Sequence, residues 1–212
     1  MSVNLPKLHY LLNYLKDNDR QVQLMAVTKK RQVNDIIELT KQGINIFGEN
    51  KVQEALLKYT SFSSELSFEL HLIGPLQTNK VKQALGLFDI IQSLDRKKLL
   101  DEILKHLNEK SKTQKFYIQV NIGRENQKSG IDPQELNDFY VLCKQCHIQI
   151  EGLMCIPPLH HEPDTYFREM INLRDSLNKE LLLSMGMSGD YKTAVQYGSN
   201  MIRIGSLLFD EV

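Results

Sequence analysis

The sequence predicts a single (β/α)8 barrel of the TIM type with an extra N-terminal helix, spanning residues 1–212 as one domain. Two patterns lead there. Eight short, nearly continuous apolar runs alternate with longer amphipathic segments, as parallel strands covered on both faces would. No stretch reads as a linker, since the 11 glycines and 6 prolines are scattered and no repeat or low-complexity tract occurs. At 212 residues the chain sits near the lower edge of the roughly 200 to 400 typical of such barrels, so short loops are expected.

The opening segment, MSVNLPKLHYLLNYLKDNDR, is an amphipathic helix pattern with mixed charges; it lacks the basic tip, apolar block and cleavage site of a signal peptide. The strand-length runs are Gln23–Lys29, Ile44–Glu49, Glu69–Gly74, Ile90–Leu94, Phe116–Ile122, Gln149–Cys155, Leu181–Met187 and Asn200–Ile204. Helix-compatible stretches between them include Asn34–Gln42, Asn50–Tyr59, Arg96–Asn108, Pro133–Gln145, Asp164–Lys179 and Asp190–Tyr197. An open Rossmann-type sheet is the structural rival. It would want a glycine-rich turn after the first strand, and Lys29-Lys30-Arg31-Gln32 is nothing like one. P-loop, H-E-x-x-H and G-x-S-x-G patterns are missing too.

Composition narrows the function. Lys and Arg total 26 against 26 for Asp and Glu, which argues against a nucleic-acid binder. No apolar run approaches the roughly 20 residues of a membrane helix. Three cysteines make no disulfide framework, so a reducing, cytoplasmic setting is expected.

In a barrel, chemistry sits where strands end. Lys29 closes the first strand on the face of Met25 and Val27, which sends its amine to the mouth; a partly desolvated lysine there can form a Schiff base with a carbonyl compound. The bland alternative is a surface lysine opening a loop. In the eighth strand Arg203 shares a face with Met201 and Gly205, and a buried guanidinium needs an acceptor. That acceptor is either a core carboxylate or a ligand atom. After the seventh strand, Ser188 reads as the N-cap of the helix reaching about Tyr197, and Gly205-Ser206 follows the eighth. Loops after strands 7 and 8 often hold phosphate in these barrels, although capping alone also explains Ser188. A lysine for an aldehyde, an arginine for a ring nitrogen and a cradle for phosphate together describe pyridoxal 5′-phosphate (PLP).

The chain closely resembles the pyridoxal phosphate homeostasis family (the YggS/PROSC proteins), related to the N-terminal barrel of bacterial alanine racemase. The resemblance runs in order along nearly the whole chain. It is carried by Ala26–Lys29, Phe47–Glu54, His71–Lys80 (HLIGPLQTNK), Gln119–Ile122, Lys128–Ile131, Gly152–Met154, Leu183–Ser188 and Gly198–Gly205. It implies that Lys29 holds PLP as a Schiff base and Arg203 faces the pyridine nitrogen. Ser188, Gly205 and Ser206 would hold the phosphate, with Asn50 and Met154 against the ring. Three positions depart from the family pattern: Thr28 stands where serine is usual, Gln32 replaces a common proline, and Phe209-Asp210-Glu211-Val212 replaces Phe-Gly and a short tail. The last puts the closure of the barrel in question.

Other features have blander readings. Cys143-Lys-Gln-Cys146-His147 matches a haem-attachment pattern, but no export signal accompanies it, so an incidental role near a helix end is favoured. Cys155 reads as a small buried hydrophobe, His71 as a satisfied core histidine and His160-His161 as solvated. Lys30 and Arg31 could attract incoming phosphate. Lys128 is either a second aldehyde site or a solvated loop lysine.

The expected function is a non-catalytic PLP carrier, a monomer passing the aldehyde to PLP-dependent apo-enzymes. A charged arginine at the pyridine nitrogen disfavours ring protonation and weakens the electron sink. The rivals are a small amino-acid racemase, with Tyr191, Tyr197 or a partner subunit as second acid/base group, and a cofactor-free Schiff-base aldolase.

Overall fold

Apolar runs too continuous for one-sided burial need cover on both faces, and closing them into a barrel provides it. The protein is seen in a computed structural model, which describes residues 2–18, 21–60, 62, 67–107, 114–159 and 162–210. The strands are β1 (Gln23–Val27), β2 (Ile46–Glu49), β3 (Glu69–Leu72), β4 (Ile90–Leu94), β5 (Lys115–Val120), β6 (Gln149–Cys155), β7 (Leu182–Ser184) and β8 (Met201–Ile204). They pair in sequence order, all parallel, and β8 returns to β1 with Met25 opposite Arg203. Around them lie α1 (Leu5–Lys16), α2 (Val33–Lys41), α3 (Val52–Tyr59), α4 (Val81–Leu85), α5 (Lys97–His106), α6 (Leu136–Gln145), α7 (Pro163–Leu177) and α8 (Tyr191–Gln196). The predicted α/β barrel with an N-terminal helix is the fold observed.

Strand alternation divides the core into two regions. Leu24, Ala26, Phe47, Leu70, Leu72, Ile202 and Ile204 point outward and pack beneath the helices in one continuous cluster. The inward positions form two small apolar groups, Met25 with Ile46 and Met201, and Ile90 with Tyr117 and Met154. Most of the hydrophobic stabilisation therefore lies outside the barrel wall.

Several boundaries differ from the apolar pattern by one to three residues. The chain leaves β1 at Val27, because Thr28 to Arg31 form a turn closed by the Arg31 amide donating to Thr28 O at 3.0 Å. β7 stops at Ser184, since Gly186 turns the backbone aside at φ +97°, a region L-residues avoid. The link between β3 and β4 is split into a 3₁₀ turn (Thr78–Lys80) followed by the short α4. One expectation is corrected: Ser188 is not a helix N-cap. The helix begins at Tyr191 with Asp190 at the capping position, and the Asp190 carboxylate accepts from the Met187 amide at 2.6 Å, ahead of the helix.

The departures at the chain's ends are accommodated. Gln32 has the N–H that a proline would lack, and it donates to Asp35 Oδ2 at 3.0 Å in the first turn of α2. Phe209 is buried with Arg31 over its ring at 4.1 Å. Asp210 accepts from Ser2 Oγ at 2.8 Å and Asn4 Nδ2 at 2.6 Å, tying the chain's end to the start of α1. The barrel closes with Phe209 and Asp210 in place. His160, His161, Glu211 and Val212 lie outside the described residues.

Because the outer layer carries the stability, Ile202→Ala is expected to cost about 2–5 kcal/mol. Leu57→Ala, at a side chain 83% exposed, should stay within about 0.5 kcal/mol of the parent protein. Urea unfolding midpoints at unchanged slope would check both.

Candidate functional site

The C-terminal ends of the strands open onto a cavity of about 370 Å3, lined by Val27, Lys29, Asn50, Ile73, Ile156, Met187, Ser188, Gly189, Arg203, Gly205 and Ser206. A second cavity of about 420 Å3 shares Val27, Lys29, Asn50, Gly205 and Ser206 with it and adds Lys30, Arg31, Lys51 and Glu54. Six of the seven residues singled out in the sequence thus line one cavity. Met154 does not. It is fully buried with Ile90 and Tyr117 inside the barrel, and Ile156, two residues further along the same face, lines the cavity instead. A larger cavity of about 580 Å3 lies at the opposite end, lined among others by Gln23, Asn45, Phe68 and Glu69. That is the end which in such barrels carries stability rather than chemistry.

Lys29 is exposed in the turn after β1, more open to water than the partly desolvated lysine expected, because the strand ends two residues earlier. Its backbone is nonetheless pinned from beneath. Thr28 is fully buried and its hydroxyl donates to Glu49 Oε1 at 2.7 Å while meeting the Tyr59 hydroxyl at 2.8 Å. Lys58, on α3, donates to Thr28 O and Glu49 Oε1, both at 2.6 Å, and to Glu54 Oε1 at 2.9 Å. Burial pushes the Glu49 carboxyl up, against Lys58 and Thr28. Burial alone would raise Glu54 as well, but its bonds to Lys58 and to the Lys30 amide bring it below the usual carboxylate range. A threonine supplies the same hydroxyl as the family's serine. Sequence reasoning missed this cluster, since Lys58 reads as an ordinary lysine of an amphipathic helix and only its depth distinguishes it.

Asn50 is fixed by a close crossing of backbones. A side chain at Gly74 would place its Cβ 2.2 Å from Asn50 O, so glycine is required where the loop after β3 passes the loop after β2. On the opposite wall, a Cβ at Gly205 would project toward Val27 at 3.5 Å, and one at Gly189 would meet nothing within 4 Å. These glycines leave backbone amides open beside Ser188 and Ser206, a donor set suited to a phosphate.

Arg203 is 3% exposed and stands on the inner face of β8. Neither a core carboxylate nor an apolar contact receives it. Its guanidinium donates to Ser184 Oγ at 2.9 Å and to Cys155 O at 2.7 Å. Burial works against its charge, opposed by Cys155 and Asp190. Cys155 itself is buried and its thiol is pushed up to about 12, consistent with an inert small hydrophobe. His71 is fully buried with partners on both ring nitrogens, the satisfied core histidine expected.

The remaining candidates fall elsewhere. Lys128 is bonded to Pro157 O at 3.1 Å and paired with Glu125, away from the cavity. Cys143 is buried in α6 and Cys146 ends that helix. Tyr191 packs edge-on against Tyr14 at 5.5 Å, and the Tyr197 hydroxyl accepts from Arg168 at 3.1 Å, so neither lines the cavity. Among the described residues no group of three or more His, Cys, Asp or Glu is placed to hold a metal, and no helix is long and apolar enough to cross a membrane.

The donor set fits PLP: an amine at the mouth, a cationic donor at depth, and open backbone amides with hydroxyls on the wall between. The volume lies within the range of small-molecule sites, about 300–1,000 Å3. Comparison with known proteins agrees. The model of the alanine racemase N-terminal domain matches residues 3–211. A pyridoxal phosphate homeostasis protein of Aquifex aeolicus is 40% identical over 198 residues, covering 89% of this chain and 86% of its own. One from Pasteurella multocida is 38% identical over 216 residues, covering 95% and 91%. Among solved structures, PipY of Synechococcus elongatus, with PLP bound, superposes with a TM-score of 0.84 at 32% identity, covering 96% of this chain and all of that one.

The pin beneath Lys29 can be tested without any ligand. Thr28→Val strips the hydroxyl from a buried cluster and is expected to lower stability by about 1–3 kcal/mol. Thr28→Ser should recover most of the loss, and denaturant melts of the three proteins would show it.

Proposed function

Because this chain belongs to the alanine racemase N-terminal domain family, and within it to the pyridoxal phosphate homeostasis proteins, we propose that it holds PLP on Lys29 and serves PLP homeostasis without catalytic turnover. When bound, PLP supplies an electrophilic aldehyde on a conjugated ring. The observation that carries the reading is the single cavity shared by Lys29, Arg203 and the Ser188–Gly189 and Gly205–Ser206 backbones. Lys29 Nζ would hold the cofactor covalently through its aldehyde carbon, the aldehyde oxygen leaving as water. Ser188, Gly205 and Ser206 bind the phosphate, and Asn50 lies against the ring.

Arg203 supports the carrier over the enzyme reading. A guanidinium has donors only and keeps its charge, so it gives a hydrogen bond to the pyridine nitrogen and leaves no place for a proton there. A racemase on this plan needs a second acid/base group facing Lys29 across the substrate. Tyr191 and Tyr197, the internal candidates, are both engaged away from the cavity. The carrier reading extends to a monomeric, cytoplasmic protein formed as one barrel domain over residues 1–212, with PLP-dependent apo-enzymes as recipients.

Borohydride reduction followed by peptide mapping should place the fixed cofactor on Lys29, and Lys29→Ala should lose that label while keeping its circular dichroism. A full equivalent retained by the variant refutes the assignment. Ser188→Ala removes one phosphate hydrogen bond and should narrow the preference for PLP over pyridoxal by about fivefold, the equivalent of about 1 kcal/mol. An unchanged preference removes Ser188 from the phosphate site. Racemisation assays across amino acids should show no turnover above that of free PLP; robust Lys29-dependent turnover would make the protein an enzyme.

A further inference from the structure

Five side chains cross the barrel interior in one connected line. Arg203 donates to Ser184 Oγ at 2.9 Å, and Ser184 Oγ lies 2.7 Å from Gln92 Oε1. Gln92 Nε2 is 2.8 Å from His71 Nδ1, and His71 Nε2 is 2.5 Å from Glu69 Oε1. Ser184, Gln92 and His71 are fully buried, whereas the Glu69 side chain is 43% exposed at the opening residue of β3. The line therefore runs from the PLP cavity to the opposite rim of the barrel.

The direction of every hydrogen bond in it follows from its two ends. A guanidinium has donors only, so Ser184 Oγ accepts from Arg203 and must spend its own O–H elsewhere. The available acceptor is Gln92 Oε1. That turns the Gln92 amide nitrogen toward His71, whose Nδ1 must then be a bare lone pair, and toward Met201 Sδ at 3.2 Å. A neutral imidazole with a bare Nδ1 carries its proton on Nε2, facing the Glu69 carboxylate. The bond from His71, ahead of the burial that opposes it, holds Glu69 below the usual carboxylate range, so the last acceptor is an anion. Cation and anion thus stand at the two ends of a line of neutral groups that all donate the same way, an arrangement in which each bond polarises the next.

We propose that Glu69, His71, Gln92 and Ser184 are positioning residues for Arg203, a one-way hydrogen-bond chain that anchors the guanidinium to a carboxylate on the far rim and fixes the donors it presents to the cavity. The proposal rests on Arg203 facing the bound cofactor. It assigns His71 as a neutral relay in place of a second interior cation, and Glu69 as the remote counter-charge of the site.

The test uses the isotope-labelled apo-protein, so it does not depend on PLP uptake. Two-bond proton–nitrogen correlation of the His71 ring, assigned with His71→Asn, should show Nε2 protonated and Nδ1 bare. Ser184→Ala and Glu69→Leu cut the line near either end and should each speed hydrogen exchange of the Arg203 guanidinium about tenfold, the worth of one hydrogen bond to a charged group. Glu69→Gln keeps an acceptor for Nε2 and should recover most of the protection. With PLP added, the two cut variants should also shift the visible absorption of the bound cofactor while Lys29 still takes the borohydride label. A protonated His71 Nδ1, or Arg203 exchange unchanged in both cut variants, overturns the proposal. Failure of the wild type to take up PLP would instead overturn the carrier reading, leaving the apo-protein measurements to decide the chain.

Discussion

A permanent charge buried inside the barrel is the constraint to which the rest of the interior answers. Arg203 stands where an apolar side chain would otherwise fill the space between β7 and β1, and a buried guanidinium without acceptors would cost several kcal/mol. The protein meets that demand with groups from three other strands: Cys155 O on β6, Ser184 Oγ on β7 and, behind the serine, Gln92 on β4. This polar line separates the two small apolar groups of the interior. Stability consequently rests on the outer layer, where a continuous apolar cluster joins every strand to the helices. The interior is left to the site.

Much of this was legible in the sequence, and the exceptions have physical causes. The eight apolar runs mark the strands because strands covered on both faces cannot alternate. Alternation also places Met25 and Arg203 correctly on the inner face. It does not give depth, so Met154 and Ile156, equivalent by parity, could not be told apart as buried layer and cavity lining. Ser188 is as good a capping residue as Asp190; where the helix begins follows from backbone geometry, with Gly186 turning the chain at φ +97° and the Met187 amide donating to Asp190 Oδ1, rather than from residue type. Of the two acceptors weighed for Arg203, a core carboxylate is absent from its hydrogen bonds; the Glu69 carboxylate is reached only through four hydrogen bonds, on a strand more than a hundred residues earlier. Partners at that separation leave no local pattern. The same is true of Lys58, whose acceptors come from β2 and from the turn after β1.

The three departures from the family pattern are each accommodated by bonds that this chain makes. Thr28 offers the hydroxyl of serine to Glu49, and its extra methyl is accommodated in full burial. Gln32 gives up the rigidity of proline and gains an N–H, which Asp35 accepts. Asp210 in the altered tail draws Ser2 and Asn4 onto the end of the chain, while Phe209 stays buried. The mouth of the barrel is held by backbone placement that several side chains can satisfy.

The two ends of the cavity differ in a way that suits a carrier. At depth, Arg203 is immobilised by acceptors from two strands, and Asn50 is set by a backbone crossing that tolerates only glycine at 74. At the mouth, Lys29, Gly189 and Ser206 are exposed. On the proposed reading, a ring held between these fixed groups would be recognised closely, while its bond to Lys29 would form where water can reach and hydrolyse it. An enzyme profits from the opposite arrangement, in which a closed site excludes water and protects what it forms. The pinned backbone under Lys29 keeps the amine in register with the cavity, and the open turn leaves it accessible to release. On the carrier reading, holding and letting go would fall to opposite ends of the same site.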